Sequence, residues 1–202
     1  MPLASYDDLI AAIQDWMLDR PDLAPRCADF IALAENDLNL QLRTCDQLTK
    51  TALALDANGQ ADIPSDYLAF RQVVAQSNPF CALDLVTPSF ANRYKSGSGV
   101  PQYFTIDAGK LSVFPRSQTE VELTYFAKIP ALSIDAPQNW LLQKFPNVYL
   151  TGACMYAGMF IGDAERTVGM TAMFRSQIET FQMAEEAGMY SRASMRQSEP
   201  TP

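Results

Sequence analysis

The groupings that come nearest to a reaction centre in this chain are carboxylate pairs: Asp7-Asp8, Asp163 with Glu165, and Glu185-Glu186. Two carboxyl groups can share acid and base roles in sugar hydrolysis when they stand roughly 5–9 Å apart across a cleft. Each pair falls instead at a helix start or on a polar helix face, where negative charge favours the helix dipole or solvates the surface. A carboxylate hydrolase of cell-wall sugar using Asp163 and Glu165 is therefore the enzymatic alternative, and the main reading has no catalytic residue. The chain holds no histidine, which removes Ser-His-Asp and Cys-His catalysis and the two-histidine zinc helix. Its four cysteines, Cys27, Cys45, Cys81 and Cys154, form no Cys-x-x-Cys pair. Cys27 and Cys154 sit in apolar helical patterns as small core residues, and all four thiols are expected reduced. Gly97-Ser98-Gly99 lacks the lysine and following helix of a phosphate loop. No cofactor and no metal is expected.

Charge narrows the partners. The net charge is −8, from 15 basic and 23 acidic residues, and no Lys/Arg cluster makes a basic face. Gripping nucleic acid by its phosphates needs such a face. The balance suits a surface that DNA passes without sticking. The longest uncharged run, Val148 to Gly162, is shorter than the roughly 20 apolar residues of a membrane span, so a buried helix and no membrane partner are expected. No signal peptide is read at the N-terminus.

The elements that must carry these residues read helix, strands, helix. Ser5 with Asp8 resembles a capping box, and Tyr6, Leu9, Ile10, Ile13, Trp16 and Met17 recur at helical spacing. Pro21 stops this helix, and Pro25 fits the first turn of a second. That second helix has an apolar stripe of Cys27, Phe30, Ile31, Ala34, Leu38 and Leu42 and a polar face with Asp29, Glu35, Asn36 and Arg43. The two should pack as a hairpin. From Gln47 the period becomes two, and Asn58-Gly59 predicts a hairpin between a strand over residues 49–55 and one over 61–63. Further strand candidates lie at 70–76, 81–86, 103–107, 110–114 and 121–127, seven candidates for a β-domain of about six strands, with one helical turn near Ser89 to Tyr94.

Helix returns after Pro130. Gln138 to Lys144 is short, and Asn147 to Gly162 is apolar nearly all round, hence buried in its own chain or by a neighbouring subunit. Ala153 with Ala157, and Gly158 with Gly162, would let another helix approach closely. Asp163 caps a last helix reaching Tyr190, rich in methionine at Met170, Met173, Met183 and Met189. Ser191 to Pro202 has no periodic apolar pattern and should be disordered in a free subunit. The fold class is α+β: a helical bundle from the N- and C-terminal helices with a small antiparallel β-domain inserted. Its divisions are residues 1–46, a helical hairpin; 47–130, the β-domain; 131–190, the completing helices; and 191–202, a flexible tail.

Four stretches, taken in order, resemble the head-to-tail adaptor proteins of tailed bacteriophages. The first runs from Tyr6-Asp7-Asp8-Leu9-Ile10 to Trp16, then takes in Phe30 to Glu35 and Leu42-Arg43. The second is Gly59 to Leu68, GQADIPSDYL. The third joins Pro101 to Ile106 with Lys110 to Pro115. The fourth joins Leu123 to Phe126, Ile129 to Ser133, Asn139 to Leu142 and Phe145 to Leu150. The resemblance implies a non-enzymatic virion protein at the head–tail interface, assembled in the host cytoplasm. It implies a homo-oligomeric, dodecameric ring between the portal protein and the tail nozzle, with double-stranded DNA passing through its channel. A stopper or tail-completion protein is the nearest alternative. Trp140, Tyr149, Tyr156 and Phe160 are the candidate subunit contacts, and Met189 and Tyr190 the candidate portal contacts.

Overall fold

The computed structural model describes residues 3–18, 20–77, 80–91, 93, 97 and 99–190, with backbone alone at 186 and 188–190. The chain divides into two compact units, residues 1–46 with 129–202, and residues 47–128. The mixed α+β class read from the sequence holds, with helices in the first unit and two small sheets in the second.

The helical unit is organised by its most apolar segment. Helix α1 spans Tyr6–Trp16; Ser5 caps it, its hydroxyl accepting the Asp8 N–H and donating to the Asp8 carboxylate. Pro25 lies in a 3-10 helix, Pro21–Arg26, that leads into α2, Cys27–Gln41. Helices α4, Trp140–Lys144, α5, Pro146–Ile161, and α6, Ala164–Tyr190, complete the unit. Every residue of α5 from Val148 to Met155 is buried. Its main neighbours are α6 and α2, so its burial is met inside the chain, and α2 packs chiefly on α5 rather than pairing with α1 as a hairpin. Gly152 is why the helices meet so closely. A Cβ there would lie 2.9 Å from the Phe174 ring on α6 and 3.0 Å from the Ala34 Cβ on α2. Gly162 ends α5 in the left-handed conformation, φ +76°, that glycine adopts without strain.

Among the described residues the β unit has eight strands, against about six expected. One sheet has the order β1 (Leu48–Leu53), β8 (Val121–Ala127), β3 (Tyr67–Ala75), β4 (Cys81–Ala82). The other has the order β2 (Gln60–Asp62), β7 (Lys110–Phe114), β6 (Tyr103–Asp107), β5 (Asp84–Leu85). The short α3, Pro88–Ala91, lies between β5 and β6 in sequence. The hairpin expected at Asn58-Gly59 does not form as a strand pair. The turn is there, with Gly59 at φ +72° and the Asp56 carboxylate accepting the N–H groups of Asn58 and Gln60. However, β1 pairs with β8 and β2 with β7, so the turn carries the chain from one sheet to the other. The single strand expected over 81–86 likewise splits around buried Leu83, β4 pairing with β3 and β5 running parallel to β6. Alternating Val121, Leu123, Tyr125 and Ala127 on β8 face one shared core with Val73, Phe104, Leu111 and Val113.

Candidate assembly surface

One carboxylate of each pair that could have done chemistry has a structural duty. Asp8 completes the α1 cap. Asp163 accepts the Arg166 N–H and pairs with the Arg166 guanidinium at 3.5 Å. Glu185 accepts the Cys45 N–H at 3.3 Å. Among the described residues, no three His, Cys, Asp or Glu side chains group to hold a metal, and no helix is long and apolar enough to cross a membrane.

Glu35, expected on the polar face of α2, is buried instead. Its Oε1 accepts the Leu132 N–H at 2.8 Å and the Tyr149 hydroxyl at 3.1 Å. Burial pushes its carboxyl above the usual range, and those two donors pull it back in part. One turn on, Asn39 Oδ1 accepts the Ile129 N–H at 2.8 Å. Asn139 caps α4 through Leu142 N and donates to both Pro130 O and Tyr149 Oη. The segment Ile129 to Asn139 is thus pinned to α2 by side chains four apart on one helix face. This network accounts for the Ile-Pro-Ala-Leu and Asn-Trp-Leu-Leu stretches in packing terms. Sequence periodicity missed it because a buried glutamate between apolar positions reads as solvent-facing.

The candidate contact residues separate. Tyr149 is 0% exposed and spends its hydroxyl on Glu35 and Asn139, so it faces no partner in this fold. Trp140 is half-buried against the helical core. Tyr156 is also half-buried and donates to the Asp37 carboxylate at 2.6 Å; burial, with Asp37 adding to it, pushes its hydroxyl up to about 12. Phe160 stands out at 61% exposed, its ring 5.7 Å from that of Phe30. The side chains of Met189 and Tyr190, and all of the 191–202 tail, lie outside the described residues.

Around Phe160 the surface stays apolar. Met159 and Val168 are exposed, and a groove of about 350 Å³ runs between the end of α5 and the start of α6, lined by Gly158, Gly162, Ala164 and Thr167 besides these two. The small residues spaced four apart open this groove, and Thr167 packs over Gly158, where a Cβ would meet its hydroxyl at 2.8 Å. Exposed apolar side chains gathered at one place mark contact surfaces.

A family model described as SU10 adaptor protein matches residues 4–198. The chain belongs to that family. The resemblance to bacteriophage head-to-tail adaptors is thereby borne out, and the adaptor is a structural protein of the phage particle. Among curated proteins no sequence matches it. In the adaptor, the ordered stretches of the resemblance are packing and turn elements: the α1 cap, the sheet-switching turn at Gly59, the β6–β7 hairpin and the pinned segment before α4.

Proposed function

We propose that copies of this adaptor close into a dodecameric ring docked between the portal and the tail nozzle, through whose channel double-stranded DNA passes without being held. The observation that carries the reading is the family match over nearly the whole chain. The apolar surface where α5 ends and α6 begins, with Met159, Phe160 and Val168 open to solvent, supplies a surface for subunit contact. Met189 and Tyr190, ending α6, are the proposed portal contacts. The acidic balance, with no basic track, fits a channel that does not retain DNA. The protein then resides in the virion at the head–tail interface after assembly in the host cytoplasm, and does no catalysis.

Mixing the purified chain with its portal and following mass by light scattering tests this. Wild-type chain should add to the portal in a fixed multiple at micromolar concentration. Phe160→Ser should remain unassembled while keeping its helical circular dichroism. A wild-type chain that stays monomeric and ignores the portal would refute the reading. Electron microscopy of the intact particle separates the adaptor position from that of a stopper or tail-completion protein.

A further inference from the structure

The β unit carries a polar pocket that the contact surface on the helices does not use. It encloses about 340 Å³ on the sheet β2-β7-β6-β5, and its polar lining includes Asn58, Gln60, Thr105, Lys110, Ser112 and Arg116. Thr105, only 7% exposed, contributes its hydroxyl-bearing side chain to this lining. Ser112 Oγ accepts from the Gln60 side-chain amide at 3.1 Å, which leaves its own O–H to donate. Lys110 is held loosely by Asp62 at 3.6 Å, and the Arg116 guanidinium has no ion pair among the described residues. One carboxylate, Asp107, also lines the pocket, at the exposed turn of the β6–β7 hairpin.

Donors therefore outnumber acceptors: a guanidinium, an ammonium and two hydroxyls meet in one concavity. Their complement is a group that only accepts and carries negative charge. A carboxylate matches, because its two oxygens take the forked N–H groups of arginine side by side. A DNA backbone fits less well. It calls for a row of cations along an open face, whereas this concavity holds two cations and an aspartate. We propose that the pocket binds a carboxylate side chain presented by an acidic peptide segment. The preference for a peptide over a free acid rests on the adaptor role; the carboxylate chemistry stands on the pocket alone.

The full-length chain, labelled for NMR, is titrated with an octaglutamate peptide, an octaserine control and a short DNA duplex. The glutamate peptide should shift the amide signals of Thr105, Ser112 and Arg116. Arg116→Gln should weaken its binding about tenfold or more, the loss expected for a charge-assisted pair, and raising salt should weaken wild-type binding. Unchanged chemical shifts away from the pocket show that the variant is folded. Shifts with octaserine alike, an undiminished Arg116→Gln, or tighter binding of the duplex would each overturn the proposal. Sedimentation of wild type and Arg116→Gln then identifies the segment's source. Weakened self-association of the variant points to a second copy of the chain, and unchanged self-association to another protein. Failure of the chain to join a portal leaves the peptide result standing, so the two readings fail separately.

Discussion

Two glycine-to-alanine substitutions in neighbouring helices should move stability in opposite directions. Gly152 on α5 lies where a Cβ would come within 2.9 Å of Phe174 Cε2 and 3.0 Å of Ala34 Cβ. Both neighbours are buried, and the Ala34 Cβ is attached directly to the α2 backbone, so relief requires the helices to part. Overpacking of this kind costs about 1–3 kcal/mol. Alanine recovers about 1 kcal/mol of helix propensity over glycine. A double-sided clash belongs in the upper part of the overpacking range, so Gly152→Ala should lose about 1–2 kcal/mol net. Gly169 on α6 is the control: it is exposed, and nothing lies within 4 Å of its would-be Cβ. Gly169→Ala should therefore gain up to about 1 kcal/mol. Thermal melts followed by far-ultraviolet circular dichroism read both. At this chain length each kcal/mol moves the Tm by roughly 2–4 °C. Phe174→Leu combined with Gly152→Ala should cost less than the sum of the two single changes, because the leucine leaves room for the new methyl. If Gly152→Ala melts at or above wild type, the close approach of α2, α5 and α6 is not what the packing says.

Other outcomes follow from the buried network and the thiols. The Glu35 carboxyl is raised in the folded chain by burial. Its contribution to stability is thus present below the ordinary glutamate value of about 4.3 and is lost as pH rises through the raised value. The difference in urea midpoint between wild type and Glu35→Gln should favour wild type at about pH 4 and shrink or reverse by about pH 8; a constant difference would contradict the burial argument. Cys154 is buried and its thiol is pushed up to about 12, mainly by burial, while Cys27 is buried and raised for the same reason. Iodoacetamide should therefore label Cys45 and Cys81 in the native chain and all four in urea, read by mass spectrometry, since attack needs an accessible thiolate. Native labelling of Cys154 at the rate of Cys45 would mean that α5 is not buried as described.

Local chemistry was legible in the sequence where one short stretch decides its own structure. The Ser5–Asp8 cap, the β6–β7 hairpin around Ala108-Gly109, the alternation of β8 and the all-round apolar α5 depend on neighbours in the chain, and each stands where the spacing puts it. The lack of histidine likewise excluded whole classes of catalysis before any fold was known. Tertiary structure alone decided partners distant in the chain. The Asn58-Gly59 turn has the local geometry of a hairpin, but β8, some 70 residues further on, offers β1 a longer ladder, so the turn changes sheets. Glu35 reads as solvated because its partner, the Leu132 N–H, lies 97 residues away. Tyr149 and Phe160 are both aromatic residues of one apolar helix, and periodicity treats them alike. What separates the buried Tyr149 from the exposed Phe160 is how α2 and α6 pack against α5, closely around Gly152 and Gly158.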